Sequence, residues 1–294
     1  MSASIKTLLT PRESDIGNLV VRRVLPARAA RLVGPFIFFD HMGPAVLPAG
    51  SGVDVLPHPH IGLATVTYLF DGTFMHHDSL GFRQKIVPGD VNWMTAGRGI
   101  VHSERTPDDA RPLEQPIHGI QTWVALPVDH EDAAPAFVHH PADTLPSFTR
   151  DGATVHVIAG TAFGLASPVE VFSPTLYAHA EFAAGGRLAL DAEHDERGVY
   201  LVDGDLSIDG TPLASATMAV LEPGATVELA SAHGARVMLL GGAHLPGERF
   251  IEWNFVSSSR EKIAAAREAW AAQTFGKVPG EEDEWTRQPE RNAH

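Results

Sequence analysis

Cysteine is absent from the 294-residue chain. Its absence excludes disulfide bonds, thiolate metal sites, iron–sulfur clusters and a cysteine nucleophile. Basic residues are also few, since 22 Lys and Arg stand against 36 Asp and Glu and give a net charge of −14. A surface of that charge repels a phosphate backbone, which argues against direct binding of nucleic acid.

Long apolar runs are missing as well. No stretch approaches the roughly 18 apolar residues of a membrane-spanning helix, and the opening MSASIKTLLTPRESD lacks the apolar core of a signal peptide. Hydrophobic residues still make up 44% of the chain, which is enough for a sizeable core. We therefore expect an acidic, soluble, cytoplasmic protein without a membrane partner.

Short apolar segments punctuated by glycine and proline dominate most of the chain. Their length, their content of Val, Ile, Leu, Phe and Thr, and the spacing of the turns are typical of a β-sandwich or barrel. Asp-Gly pairs mark hairpin turns, because glycine accepts the positive φ that these turns require. The sequence predicts an all-β chain with strands at 36–39, 65–70, 120–126, 154–158, 199–202 and 236–240.

One pattern in the sequence recurs. YLFDG at 68–72 returns as YLVDG at 200–204, an offset of 132, and VPG at 87–89 returns as EPG at 222–224, an offset of 135. A strand, an Asp-Gly turn and a Pro-Gly turn at nearly constant spacing favour a duplicated β-domain over chance. We place the two domains at 1–138 and 139–294, because the residues near this boundary break any strand.

The end of the chain changes character. Ser258 and Glu261 have the spacing of a capping box, and the Ala-rich run 263–275 places Ile263, Ala266 and Trp270 on one stripe. We expect a short C-terminal helix that packs on a barrel. A loosely packed polar tail over 279–294 should follow it.

Two pairs of polar residues are candidate metal ligands. His58 and His60 are two apart before a predicted strand, and His102 and Glu104 are two apart after the glycine-rich turn 95–99. In an extended chain residues two apart face the same side, so each pair can approach one ion. With 16 histidines in the chain, one such pair could be accidental, but the two together favour a divalent first-row metal site over structural histidines.

These residues also carry a family resemblance. Gly52, His58 and His60 are spaced as in the first motif of the cupin superfamily, and PGDVNWMTAGRGIVHSE at 88–104 resembles the signature of the pirin family. Further similar stretches lie at 118–124, 157–160, 167–169, 174–177 and 253–259. The resemblance implies a bicupin, with two jelly-roll-like β-barrel domains and a non-haem metal in the N-terminal one.

The resemblance also implies a ligand set. His58, His60, His102 and Glu104 match the four metal ligands of the family one for one. Two neighbouring positions depart from the pattern, since Ala64 stands where pirins commonly keep a Glu and Ile61 where relatives often have a basic residue. The departures should alter the polarity of the pocket without removing the metal.

The second repeat lacks this ligand set. At the offset of 132, the two histidines of the first pair fall on Leu190 and Ala192. We therefore predict one divalent transition metal per chain, in the N-terminal domain. The resemblance puts Fe(II) first, while Mn, Co, Ni, Cu and Zn are also chemically admissible.

Two functions from different classes follow from the resemblance. The first is the ring-opening 2,3-dioxygenation of a flavonol such as quercetin, with a small aromatic substrate, dioxygen, and Glu104 as a general base for the 3-hydroxyl. The second is a non-enzymatic, iron-dependent module that responds to redox state and binds a protein partner. A metal that only braces the barrel is the third alternative.

Overall fold

The computed structural model describes residues 3–16 and 19–290. Within these residues it contains 25 strands, one α-helix and the short 3-10 helices Val128–His130 and Ala142–Thr144. The regular elements in chain order are β1 (Ile5–Leu9), β2 (Arg12–Ile16), β3 (Leu19–Leu25), β4 (Phe36–Leu47), β5 (Asp54–His60), β6 (Leu63–Asp71), β7 (Phe74–Asp78), β8 (Arg83–Ile86), β9 (Val91–Thr95), β10 (Ile100–Arg105), β11 (Gln115–Ala125), β12 (Ala136–His140), β13 (Ser147–Arg150), β14 (Ala153–Ala162), β15 (Leu165–Ala166), β16 (Thr175–Phe182), β17 (Arg187–Leu190), β18 (Glu196–Gly204), β19 (Leu206–Ile208), β20 (Thr211–Leu213), β21 (Met218–Leu221), β22 (Val227–Ala230), β23 (Ala235–Gly242), β24 (Phe250–Glu252), β25 (Phe255–Ser257) and α1 (Arg260–Ala271).

Two compact units divide the chain, and neither is continuous in sequence. One holds β1, residues 22–41 and residues 140–245; the other holds residues 42–139 and the chain from 246 onward. This division differs from the contiguous domains that we predicted at 1–138 and 139–294. The reason is tertiary pairing that segment patterns do not reveal, because β1 pairs with β21 and α1 packs on Ile61 and Val101.

The first unit is built from two sheets. Seven strands run in the order β1-β21-β18-β23-β16-β14-β13, with β15 paired to β14, and four run in the order β17-β22-β19-β20. Its core includes an apolar cluster in which Val155, Val199 and Leu239 are fully buried. These side chains come from β14, β18 and β23 of the larger sheet.

The second unit repeats this plan. Its four-stranded sheet has the order β5-β10-β7-β8, and in its larger sheet β6 lies between β9 and β11 in the run β12-β9-β6-β11. The recurring YLFDG and YLVDG stretches lie at the ends of β6 and β18, and β18 likewise lies between β21 and β23 in its own sheet. The repeat in the sequence thus corresponds to strands in equivalent places.

The strand predictions are confirmed at all six segments, each of which lies in or overlaps an observed strand. The Asp209-Gly210 turn shows why the glycine signal is informative. Both residues have positive φ, 48° and 74°, and they join β19 to β20 as a two-residue hairpin loop.

The C-terminal helix is confirmed, with different ends. Ser259, rather than Ser258, caps it by accepting the Lys262 N–H at 3.3 Å, and the helix ends at Ala271. Ser258 instead donates its hydroxyl to Glu131. The predicted stripe is buried, and among the described residues this helix is too short and too polar to cross a membrane.

The polar tail is not loosely packed as far as residue 290. Thr286 donates its backbone N–H to the Pro57 carbonyl at 2.8 Å, and Glu281 pairs with Arg105 at 2.8 Å. Hydrogen bonds to specific partners on other strands hold this polar segment, although its composition gives no sign of them. Residues 291–294 of the predicted tail lie outside the described residues.

Candidate metal centre

Strand β5 presents two histidines to one side. Its end reads Pro57-His58-Pro59-His60, and the alternation of an extended strand places the two imidazoles on the same face. The prolines fix φ on either side of His58 and donate no hydrogen bond. Proline of this kind is confined to sheet edges, and β5 is the first strand in the order β5-β10-β7-β8.

Strand β10 supplies the third histidine. It runs antiparallel to β5, with Ile100 opposite His60 and His102 directly opposite His58. Cross-strand neighbours in such a pair are close enough for their side chains to meet. One ring nitrogen from each of the three histidines lies within 4.8 Å of the other two, and the Nε2 atoms of His60 and His102 are 3.1 Å apart.

Backbone carbonyls set the tautomers of two of these rings. His58 donates Nδ1–H to the Leu56 carbonyl at 2.9 Å, and His60 donates Nδ1–H to the Asn254 carbonyl at 3.0 Å. In a neutral imidazole the other nitrogen, Nε2, then carries the lone pair. This is the arrangement by which outer hydrogen bonds orient metal-binding histidines.

Burial keeps the three rings neutral. It lowers the pKa of His58, against the opposing effects of the Leu56 hydrogen bond and the Glu104 charge. Burial also lowers the pKa of His60 and of His102 well below the usual value, and the neighbouring histidines add to the effect. Neutral imidazole is the form that binds a metal ion.

These features fit a metal ion. Two nitrogens about 2.1 Å from one ion and at a right angle to each other lie about 3 Å apart, which is the separation of the His60 and His102 Nε2 atoms. The Nδ1 atom of His102 is buried and has no hydrogen-bond partner among the described residues. A three-histidine site of this kind could hold a metal, and its chemistry does not select one metal among the divalent ions.

Glu104 lies beside the three histidines rather than among them. Its carboxylate is not within the 4.8 Å group. Gln121 donates its amide to both carboxylate oxygens, at 3.0 and 2.9 Å, and Thr67 donates its hydroxyl at 3.0 Å. Thr67 and Gln121 face each other across β6 and β11, so a single cross-strand pair orients the carboxylate.

The pairing of β10 with β5 changes register between His102 and Glu104. Along β10, His102 pairs with His58, but two residues later Glu104 pairs with Val55, three residues back along β5. The extra residue lies in β5, while β10 keeps a regular register with β7, where Glu104 is opposite His76. Because the 4.8 Å group contains only the three histidines, Glu104 as a fourth ligand remains a prediction.

Further side chains lie beside the centre, and the sequence did not indicate the place of His76 and Asp78 among them. His76 is buried opposite Glu104, donates its Nε2–H to the Asp78 carboxylate at 2.9 Å, and stacks on Phe137. The Trp123 ring meets His60 edge-on at 5.1 Å. The one available signal was the alternation His76-x-Asp78 in a short strand, which by itself is too common to be informative.

The four candidate residues differ in exposure. His60 and His102 are each 1% exposed, whereas His58 and Glu104 are each 8% exposed. All four residues are therefore buried, and His58 and Glu104 are slightly more exposed than the other two. In the other unit, the strands in the equivalent places, β17 and β22, read RLAL and VELA and carry no histidine.

Comparisons with known proteins agree with this architecture. The pirin family model matches residues 18–124, and the model of the pirin C-terminal cupin domain matches residues 177–276. A pirin-like protein of Caulobacter vibrioides is 48% identical over 91% of this chain and 93% of its own length. A Pseudomonas aeruginosa protein whose name provisionally assigns quercetin 2,3-dioxygenase activity is 42% identical over 89% of this chain and 82% of its own length.

A solved structure is similar over nearly the whole chain. The crystal structure of quercetin 2,3-dioxygenase from Acinetobacter baumannii superposes with a TM-score of 0.89 at 36% identity, covering 98% of this chain and 95% of that one. The predicted fold class, an all-β bicupin with a short C-terminal helix, is thereby confirmed. The chain belongs to the pirin family of the cupin superfamily.

Proposed function

We propose that this pirin is a non-haem, metal-dependent dioxygenase that opens the heterocyclic ring of a flavonol such as quercetin. The observation that carries the proposal is the convergence of three buried, neutral histidines on one point. The similarity over most of the chain to proteins named as quercetin 2,3-dioxygenases supports it. In this proposal His58, His60 and His102 hold the metal, with Fe(II) first among the candidates.

The residues around the three histidines would orient the metal ligands and exclude water from the metal. A bound divalent metal supplies Lewis-acid and redox chemistry toward an oxygen-bearing substrate. The carbonyls of Leu56 and Asn254 fix the rings of His58 and His60, so that the ligand nitrogens need no rearrangement. The burial of His60 and His102 keeps bulk water away from that side of the centre.

Glu104 is the acid–base group in this proposal. Its charge acts on the neighbouring His58, and in this proposal the 3-hydroxyl of a flavonol approaches its carboxylate. Gln121 and Thr67 hold it in place by three hydrogen bonds. Because each carboxylate oxygen has two lone pairs, Glu104 can also serve as the fourth ligand in this proposal while it keeps its hydrogen bonds to Gln121 and Thr67.

Oxygen uptake with quercetin tests the proposal. Metal-stripped protein is reloaded in turn with Fe(II), Mn(II), Co(II), Ni(II) and Cu(II), beside His60→Ala and the exposed-histidine control His233→Ala. We expect uptake with loss of the flavonol absorbance in wild type and the control, and none in His60→Ala. In Glu104→Gln we expect retained metal and a rate lower by about 100-fold or more, the usual contribution of general acid–base catalysis.

Two results would contradict the proposal in different ways. A Glu104→Gln protein that binds metal and works at the wild-type rate removes the base role while leaving the dioxygenase. Stoichiometric metal binding without uptake under any metal contradicts the flavonol dioxygenase itself. That second result favours the redox-responsive module that binds a protein partner.

A further inference from the structure

The C-terminal strap, residues 277–290, lies against the strand that carries two of the candidate ligands. Thr286 donates its backbone N–H to the Pro57 carbonyl at 2.8 Å and its hydroxyl to the Leu56 carbonyl at 3.1 Å. Leu56 and Pro57 immediately precede His58. The strap therefore binds the backbone of β5 at the residues next to a ligand.

One of these carbonyls serves two donors. The Leu56 oxygen accepts both the Thr286 hydroxyl and the His58 Nδ1–H, the latter at 2.9 Å. A carbonyl oxygen has two lone pairs and can satisfy both. Because the Leu56 carbonyl sets the tautomer and orientation of His58, a residue that fixes this carbonyl also fixes the ring.

Strand β5 has particular need of such support. It is at the edge of its sheet, with β10 on one side, and Pro57 and Pro59 cannot donate to any neighbour. The carbonyls of Leu56 and Pro57 can instead accept hydrogen bonds from a segment outside the sheet. Thr286 supplies both hydrogen bonds, from its backbone N–H to Pro57 and from its hydroxyl to Leu56.

A second contact joins the strap to the other ligand strand. Glu281 accepts from Arg105 Nε at 3.1 Å and Arg105 Nη2 at 2.8 Å, and it also pairs with His77. Arg105 follows Glu104 on β10, while His77 lies on β7. The Glu281 side chain is only 9% exposed, so solvent screens this ion pair less than a surface pair.

The strap itself is anchored. Trp270 donates its indole N–H to the Thr286 carbonyl at 3.0 Å, and Arg267 donates to the Pro289 carbonyl at 3.0 Å. Both donors belong to α1, whose apolar side packs on Ile61 and Val101. Those two residues are the chain neighbours of His60 and His102, so helix and strap hold the same pair of strands.

We propose that Thr286 and Glu281 are positioning residues of the metal centre. Thr286 fixes the backbone that orients His58, and Glu281 fixes β10 against β7 at the residue after Glu104. Neither side chain touches the metal or the substrate in this proposal. The inference rests on the metal site proposed above.

Co(II) affinity and the Co(II) absorption spectrum of the full-length protein test the inference. We expect Thr286→Val and Glu281→Gln each to bind Co(II) about tenfold more weakly, the lower end of the usual loss when an outer hydrogen-bond partner is removed. Their d–d bands should also shift, because the ligand geometry changes. Thr286→Ser keeps the hydroxyl donor and should restore both the affinity and the spectrum.

Matched controls separate positioning from general damage. Thr274→Val removes a hydroxyl that bonds the Ala269 carbonyl at the end of the helix, and Glu282→Gln removes the charge next to Glu281. Both should match wild type. In metal-free protein, hydrogen exchange in peptides covering 54–63 and 100–106 should rise in Thr286→Val and Glu281→Gln but not in the controls.

The outcomes distinguish the two proposals. A wild-type protein that takes up no metal overturns the metal site and the positioning role with it. A wild-type protein that binds Co(II), while Thr286→Val and Glu281→Gln share its affinity, spectrum and exchange, overturns the positioning role alone. Equal losses in Thr286→Val and Thr286→Ser also contradict it, because the hydroxyl would then be irrelevant.

Discussion

At the scale of single residues, the hydrogen bond from Thr67 to Glu104 yields a stability prediction. Thr67 is 4% exposed and donates to a carboxylate at 3.0 Å. Thr67→Val keeps the shape but removes the donor, so we expect a loss of about 1.5–3 kcal/mol in the free energy of unfolding, the range for bonds to charged groups. Urea denaturation of the metal-free protein measures it.

Thr122→Val is the matched control for this prediction. Thr122 is fully buried, and its hydroxyl has no hydrogen-bond partner among the described residues. Replacing an unsatisfied hydroxyl by a methyl group should leave stability unchanged or raise it. Equal losses of unfolding free energy in the two variants would mean that replacing Thr by Val disturbs the packing, and that the hydrogen bond to Glu104 is not the cause.

The same scale shows what the sequence could reveal about the centre. The spacing of His58 and His60 predicts a common face because alternation is a property of any extended strand. The same argument places His102 and Glu104 on one face, and the regular pairing of β10 with β7, with His102 opposite Asp78 and Glu104 opposite His76, agrees with it. What the argument does not give is the register shift between these two residues along β5. An irregularity of this kind depends on the partner strand, so the sequence of β10 alone does not contain it.

At the scale of elements, the turn between β9 and β10 determines where His102 lies. Gly97 has φ of +53°, and a Cβ at this position would lie 2.0 Å from the Ala133 carbonyl oxygen. Its own carbonyl accepts the Gly62 N–H at 2.8 Å. We expect Gly97→Ala to destabilise the protein by more than about 2 kcal/mol, since backbone must move and the left-handed strain adds about 1 kcal/mol.

Gly81→Ala separates strain from the steric clash. Gly81 also has a positive φ, +92°, but no described atom lies within 4 Å of the place its Cβ would take. Urea denaturation should therefore show the cost of backbone strain alone, about 1–2 kcal/mol. Co(II) binding should weaken in Gly97→Ala and stay unchanged in Gly81→Ala. Similar behaviour of the two variants would contradict the role of the Ala133 contact.

Secondary structure was more predictable than the packing of these elements. Turn glycines and apolar alternation are local signals, and they locate β6, β18 and the Asp209-Gly210 hairpin correctly. The strap has no such signal, because its contacts join Thr286 and Glu281 to residues more than 170 positions earlier in the chain. Polar composition predicts exposure, but hydrogen-bond partners decide whether an exposed segment is fixed.

At the scale of the whole molecule, both compact units are discontinuous in sequence, so no single boundary in the chain separates them. The repeat predicts two similar domains, and the equivalent sheet orders agree with it. The N-terminal strand β1 belongs to the unit of residues 140–245, and the chain from 246 onward belongs to the unit of residues 42–139. A repeated sequence pattern does not reveal this assignment. The assignment also means that a fragment cut near residue 138 would lack the helix and the strap that hold β5 and β10.

Acid stability is a property of the whole chain to which one buried histidine contributes. His179 on β16 is 5% exposed, and burial, with help from Arg236 and His156, lowers its pKa to about 3. Glu181 lies 3.7 Å from its Nε2 atom and does not reverse the effect. Between pH 6.5 and about 3 the unfolded chain therefore takes up a proton that the folded chain does not. Stability is full above pH 6.5 and falls with decreasing pH, by up to about 1.4 kcal/mol per pH unit from this group.

Substitution of His179 should flatten this dependence. We expect His179→Gln to lose less free energy of unfolding than wild type between pH 7 and pH 4, whatever its stability at neutral pH, as measured by urea denaturation at each pH. His233→Gln, at a side chain that is 88% exposed, should keep the wild-type slope because folding does not desolvate that ring. If the free energy of unfolding of His179→Gln depends on pH as steeply as that of wild type, the prediction is wrong. The acid sensitivity would then arise from other groups, such as the other buried histidines.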